Sequence, residues 1–194
     1  MDLSRTANID DLRELARRRL PRIVFDFFDG GAEDEVSLRN NRTAFQRVRF
    51  APRVLRDVAK VDAATEILGG PSKYPLLIAP VGAIGMGWPG GDLAIARAAA
   101  AYGIPFTLST AATVSIEEVA DKAPGRLWFQ LYVLYDREFT DRLVERARAA
   151  GYEALVVTVD LPVGGKRERD THNGFILPFQ PGWRELLAGI VHPS

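Results

Sequence analysis

Leu127-Trp128-Phe129-Gln130-Leu131-Tyr132 is an apolar run that carries Gln130 and Tyr132 two residues apart. In an extended chain that spacing puts both polar tips on one face. The pattern recurs at Val156-Val157-Thr158-Val159-Asp160, where Thr158 and Asp160 share a face, and Ser109 closes a third apolar run, Pro105 to Ser109. Polar groups gathered at the carboxyl ends of successive strands are where barrel and open α/β enzymes carry their chemistry. The layout is that of an enzyme or of part of one.

Working outward, the candidate strands are Leu76 to Ala79, Pro105 to Ser109, Leu127 to Val133 and Ala154 to Val159. Helical signals fill the gaps. One segment runs from Asp92 to a stop at Gly103; Ser115 and Glu118 form a capping box for a second, which Pro124-Gly125 ends. The third runs from Asp136 to Gly151, with Phe139, Leu143, Val144 and Ala147 on one apolar face. The order is therefore β-α-β-α-β-α-β. Strands so continuously apolar are expected to be buried on both faces, as in parallel sheets. Before them, residues 9 to 50 read as helical. Asn8 caps the first helix, Pro21 restarts a second, Gly30-Gly31 breaks the run, and a third covers Asp34 to Arg47. A Pro- and Gly-containing connection through Gly69-Gly70-Pro71 follows. Residues 1–70 are thus expected to form a helical segment with its connection, and residues 71–194 four β/α units.

Two α/β architectures fit this order, and the turn after Ala79 separates them. A dinucleotide fold carries Gly-x-Gly-x-x-Gly there, whereas this chain reads Pro80-Val81-Gly82-Ala83-Ile84-Gly85-Met86-Gly87, with no helix expected directly after it. A Walker A loop is absent too. A (β/α)8 barrel is favoured, and four of its eight strands leave sheet edges and one side of the core uncovered.

Composition narrows the function classes. Lys plus Arg equals Asp plus Glu at 25 each, so no long-range field favours nucleic acid or an anionic membrane. The cluster Arg17-Arg18-Arg19 with Arg22 reads as a solvated helix face. With no cysteine there is no disulfide, thiolate nucleophile or cysteine metal site, which suits a cytoplasmic protein, and no metal site is expected.

Together these residues resemble the FMN-dependent 2-hydroxy-acid oxidising family of glycolate oxidases, flavin L-lactate dehydrogenases and L-mandelate dehydrogenases. The resemblance runs through Leu20-Pro21, Phe25-Asp26, Gly31-Ala32-Glu33-Asp34-Glu35, Asn41-Arg42 and Phe50-Ala51-Pro52-Arg53. It continues through Ile78-Ala79-Pro80, Leu108-Ser109-Thr110, Trp128 to Tyr132, Thr158-Val159-Asp160 and Arg167-Glu168-Arg169-Asp170. It implies a full (β/α)8 TIM barrel behind an N-terminal helical segment, of which this chain is the first half. Implied activity is FMN-dependent oxidation of an L-2-hydroxy acid, mandelate- or lactate-like, to the 2-oxo acid. The implied partners are that small acid, the C-terminal half of the barrel and further copies in a homo-oligomer. In the mandelate branch, the loop after the fourth strand also implies peripheral contact with the inner face of a membrane.

Carried over residue by residue, the resemblance lays the backbone of Pro80, Val81 and Gly82 against the flavin ring. It gives Ser109, Gln130 and Thr158 to the ring's polar atoms. Tyr132 becomes a catalytic and substrate-binding phenol. Arg167 becomes a carboxylate-binding cation, and Asp160 the catalytic aspartate that orients a histidine base and stabilises its charged form. Each residue has a plainer reading. Ser109 and Thr158 fit strand-end hydroxyls bonded to backbone, Gln130 a satisfied core amide, Tyr132 a barrel tyrosine, Arg167 a solvated loop arginine and Asp160 a loop cap.

The departures are specific. The family's Ser-Asn-His-Gly-Gly motif and its later-strand lysine do not occur in this sequence, and His172 and His192 fall in expected loops without that motif. Phe27 stands where the family usually has a carboxylate-binding tyrosine. Ala111 replaces the tryptophan of glycolate oxidases, and Gly82 an alanine. These changes lean toward a larger 2-hydroxy acid. Two alternatives stay open: a non-catalytic barrel fragment acting as an assembly piece, and another FMN- or phosphate-binding barrel enzyme.

Overall fold

A computed structural model describes residues 4–175 of the chain. In chain order its elements are α1 (Ile9–Arg19), α2 (Arg22–Asp29), α3 (Val36–Thr43), a 3-10 turn (Ala44–Arg47), β1 (Thr65–Ile67) and β2 (Gly70–Ser72). There follow α4 (Ile84–Gly87), α5 (Gly91–Tyr102), β3 (Phe106–Leu108), α6 (Ile116–Lys122), β4 (Leu127–Tyr132), α7 (Arg137–Ala149), β5 (Ala154–Thr158) and α8 (Glu168–Asn173). They fall into two compact units. One joins residues 4–53 to residues 163–175, and the other is residues 54–162.

In the first unit, the Asn8 side chain accepts the Asp11 N–H at 2.9 Å, and Asp10 and Asp11 occupy the first turn of α1 while Arg17, Arg18 and Arg19 occupy its last. Charges so placed complement the helix dipole. The helix α8 zips onto α2. Arg169 reaches Asp29 at 3.0 Å and Glu35 at 2.7 Å, and Asn173 donates to Asp26 at 2.7 Å. The sequence reading left residues 168–173 as loop, so His172 stands in a helix instead. The helix expected over Asp34 to Arg47 starts at Val36, because Glu35 takes a left-handed φ of 56°, and tightens into the 3-10 turn after Thr43.

The second unit holds a three-stranded parallel sheet in the order β3-β4-β5. Its register pairs Phe106 with Leu127, Trp128 with Ala154, and Tyr132 with Thr158. Phe106, Leu108, Leu127, Phe129 and Leu131 turn one way into a core with Ala96 and Ala99 of α5, Ile116 and Val119 of α6, and Leu143 and Ala147 of α7. Alternation therefore sends Thr107, Ser109, Trp128, Gln130, Tyr132, Val156 and Thr158 to the opposite, inner face. Caps match the sequence signals: Ser115 accepts from the Glu118 N–H, Asp136 from the Phe139 N–H, and Gly103 ends α5 with φ 62°.

Four expectations change. Leu76 to Ala79 does not form a strand: Ile78 alone bridges Phe106, through Ile78 N–H to Pro105 O and Thr107 N–H to Ile78 O. Prolines at 75 and 80 flank that run and offer no N–H to a ladder. Burial in β5 alternates instead of being complete, with Leu155 and Val157 each 44% exposed on the outer side, since no helix of this unit follows the strand. The turn after Pro80 leads into the one-turn helix α4, where no helix was expected. The stretch read as a connection contains the antiparallel hairpin β1-β2, pairing Ile67 with Gly70 across Leu68 (φ 46°) and Gly69 (φ 72°). Two left-handed central residues suit a tight hairpin, and this one pairs residues on either side of the division expected at 70/71. Arg126, at the start of β4, donates to Ile67 O and Gly70 O at 3.0 Å each and to Glu153 at 2.8 Å.

Candidate functional site

The carboxyl ends of β3, β4 and β5 bring Ser109, Gln130 and Thr158 together. Gln130 is 2% exposed. Its Oε1 accepts from Ser109 Oγ and from the Thr110 N–H, both at 3.1 Å, and its Nε2 donates to Thr158 Oγ1 at 2.8 Å. A backbone N–H can only donate, so the Thr110 contact fixes which way the amide faces. Directionality then leaves two donors unspent among the described residues, the second Nε2 hydrogen and the Thr158 hydroxyl proton. Ser109 is committed inward: it donates to Gln130 and accepts the Ala111 N–H at 3.1 Å.

Thr110, which sequence reasoning quoted but did not select, is the hub between the two strand ends. Its hydroxyl donates to Gln130 O at 2.6 Å and accepts the Tyr132 N–H at 3.1 Å. The available signal was a second hydroxyl residue immediately after Ser109, at a strand terminus.

Beside this cluster runs the turn that begins at Pro80. A Cβ on Gly82 would stand 3.0 Å from Ala111 Cβ and 3.7 Å from Ser109 Oγ, so the glycine lets the two loops approach. Val81 is exposed and Pro80 half-buried. The Ala83 N–H donates to Ala111 O at 2.8 Å, and the Gly85 N–H to Thr113 Oγ1 at 3.1 Å.

Tyr132 lies on the Gln130 face opposite Thr158 and is 38% exposed. Asp160, two residues past Thr158, is exposed and makes no hydrogen bond among the described residues. Their side chains are near the cluster in sequence and register but make no hydrogen bond to it among the described residues. Deeper on the same face, Thr107 Oγ1 and Trp128 Nε1 are register partners, each buried without a hydrogen bond among the described residues.

Arg167 belongs to the other unit and has a structural set of partners there. It donates to Asp170, to Gly30 O at 3.0 Å and to Phe27 O, and its guanidinium lies 5.5 Å from the Phe27 ring centroid. It closes the last carbonyls of α2, a helix-end role that the sequence reading did not weigh. Phe27 itself stacks on Phe175 at 4.6 Å. His192 lies outside the described residues. Among the described residues no cluster of ligating side chains could hold a metal, and no helix is long and apolar enough to cross a membrane.

An unspent amide donor and hydroxyl donor beside a turn that Gly82 lets approach Ala111 can bond a ligand that offers acceptors along one edge. The family model described as FMN-dependent dehydrogenase matches residues 16–194. The (S)-mandelate dehydrogenase of Pseudomonas putida is 48% identical over 186 residues, which are 96% of this chain and 47% of that protein. A putative L-lactate dehydrogenase of Mycobacterium tuberculosis is 47% identical over 98% of this chain and 46% of its own length. A solved structure of the monotopic membrane protein (S)-mandelate dehydrogenase superposes with a TM-score of 0.89, at 48% identity, covering 96% of this chain and 50% of that one. The chain spans about half the length of the curated relatives it matches. The fold is an α/β partial barrel of the TIM type, as the turn after Ala79 favours and the family resemblance implies.

Proposed function

We propose, because this chain belongs to the FMN-dependent dehydrogenase family, that it forms the FMN-gripping first half of a barrel that oxidises an L-2-hydroxy acid to the 2-oxo acid. The observation that carries this reading is the fixed orientation of the Gln130 amide, which leaves an N–H and an O–H donor without an acceptor among the described residues at the strand ends. Gln130 and Thr158 would bond the acceptors of the flavin's pyrimidine edge, with Ser109 and Thr110 holding the amide in place. The backbone of Pro80, Val81 and Gly82 would lie against the ring, where a Gly82 Cβ would crowd Ala111. FMN, when bound, takes up the two electrons released at the alcohol carbon.

The phenol of Tyr132, part-exposed and without a hydrogen bond among the described residues, would donate to an oxygen of the substrate. Asp160 would orient and stabilise the imidazolium of a histidine base supplied by the complementary half of the barrel, holding the proton taken from the substrate hydroxyl close to the site. Arg167 would serve substrate only by giving up donors now spent on α2, so its proposed part is to fix the segment from residue 163 onto the helical unit. Phe27 and Ala111 point to a roomier pocket with one hydroxyl fewer for the carboxylate, hence to a mandelate-like acid. We include homo-oligomerisation and peripheral contact of the loop after β5 with the inner face of a membrane in the proposal; support for the latter is the monotopic relative.

The test joins residues 1–194 to the portion of Pseudomonas putida (S)-mandelate dehydrogenase beyond the match. The fused chain is expected to bind FMN and oxidise (S)-mandelate in preference to glycolate, whereas the 194-residue chain turns over neither. A well-folded fusion that takes up no FMN would refute the assignment, and turnover by the rigorously purified 194-residue chain would refute the half-barrel reading.

A further inference from the structure

Asp92 is the carboxylate that the proposed chemistry leaves unused. It is 1% exposed in the first turn of α5, its Oδ2 accepts from Thr113 Oγ1 at 2.5 Å, and its Oδ1 has no partner among the described residues. A buried carboxylate with one oxygen unpaired is costly unless it orders something. What it orders is legible from proton directions. Thr113 Oγ1 accepts the Gly85 N–H at 3.1 Å, so its own proton goes to Asp92. The chain of donation is Gly85 N–H to Thr113 hydroxyl to Asp92 carboxylate. Thr113 and Gly85 are in such close approach that a Cβ on Gly85 would stand 2.4 Å from the hydroxyl oxygen. With the Ala83 N–H to Ala111 O bond, this link fastens the turn from Pro80 to Gly87 to the loop after β3.

We propose that Asp92 is a positioning residue for the cofactor site: acting through Thr113, it fixes the Pro80–Gly87 turn that carries the Gly82 backbone. The cofactor part of this rests on the FMN reading above. An acidic residue serving only the dipole of α5 would need neither Thr113 nor Gly85. Replacing the hydroxyl by a methyl of the same shape, Thr113→Val, therefore separates the two roles.

Two measurements on the full chain and on its fusion to the mandelate dehydrogenase portion decide the matter. Amide hydrogen exchange at Gly85 is expected to rise about five- to tenfold in Thr113→Val, the scale of one lost hydrogen bond, and to return to the starting value in Thr113→Ser. The amides of Phe129 and Leu131 should not change. Asp92→Asn, which keeps an acceptor but loses the charge, should give a smaller rise. In the fusion, FMN dissociation should become at least about fivefold weaker in Thr113→Val, with an altered flavin absorption band, and Thr113→Ser should restore both. Unchanged Gly85 exchange in Thr113→Val overturns the link, and a rise there with none in Asp92→Asn removes the carboxylate from it. Faster Gly85 exchange with unaltered FMN affinity and spectrum overturns the positioning role and leaves the FMN assignment standing. A fusion of wild-type sequence that binds no FMN defeats that assignment, and the cofactor role with it, while Gly85 exchange still decides the link itself.

Discussion

Replacing Gln130 by leucine tests whether the strand-end cluster is one hydrogen-bonded unit. Leucine has similar bulk, so little cavity forms, but the change removes both contacts to Oε1 and the one from Nε2. The Thr158 hydroxyl can rotate toward solvent and costs little. The Ser109 hydroxyl is buried and the Thr110 N–H half-buried, so both are left without their acceptor. At about 1 to 3 kcal/mol for each stranded group, offset by about 1 kcal/mol of added apolar burial, the net loss is about 1 to 5 kcal/mol. Urea unfolding of the full chain, followed by exchange of the β4 amides so that only this unit is read, measures it. The double variant Ser109→Ala with Gln130→Leu removes the stranded hydroxyl, while the Ala111 N–H that it accepts belongs to an exposed residue and can turn to water, so about 1 kcal/mol should be regained relative to Gln130→Leu alone. A loss below about 0.5 kcal/mol in the single variant, or no regain in the double, would show that Gln130 does not hold Ser109 and Thr110 as described.

Three further outcomes are expected. In Gly70→Ala the new Cβ would stand 2.5 Å from the Arg126 guanidinium. The arginine must withdraw from Ile67 O and Gly70 O, at about 1 to 3 kcal/mol in chemical denaturation; a neutral substitution would mean that Arg126 does not clamp the hairpin. The Asp29 carboxyl is held below its ordinary range by the Arg13 hydrogen bond first, against desolvation, and then by Arg169. Its folded value is depressed, so its contribution is complete above the ordinary carboxylate value near pH ~4 and is lost as pH falls through the folded value. Carboxyl carbon NMR should show that low midpoint and its return toward the ordinary value in Arg13→Met. In the fused enzyme, Asp160→Asn should cut turnover by on the order of 10² to 10³ with flavin content retained; lost flavin at an unchanged rate per flavin would move Asp160 from the proton to the cofactor.

The alternation in Leu127 to Tyr132 was enough to place Gln130 and Tyr132 on one face, and the register with β5 then set Thr158 opposite Tyr132. Caps at Asn8, Ser115 and Asp136 were legible because each is a local side-chain-to-backbone bond. The hairpin was not: three-residue strands are too short for a period, and Leu68 is an unusual left-handed residue. The helix α8 was hidden for another reason. Its support is a set of ion pairs to Asp26, Asp29 and Glu35, more than 130 residues away in the sequence, and no local pattern announces them. Arg167 was read as a ligand-binding cation because its partners on α2 are equally remote.

The six residues of β4 have opposite duties at their two ends. Arg126 and Glu153 anchor the hairpin where the strand enters, and Gln130 with Thr110 shapes the exit. At about 3.3 Å per residue, the four steps from Arg126 to Gln130 keep the two jobs roughly 13 Å apart. Descendants of this sequence can therefore alter exit loops while the entrance continues to hold the sheet in register. The strand acts as an insulator between heritable stability and heritable specificity. Change should accumulate unevenly along it, with tolerance rising past Tyr132 and falling toward Arg126.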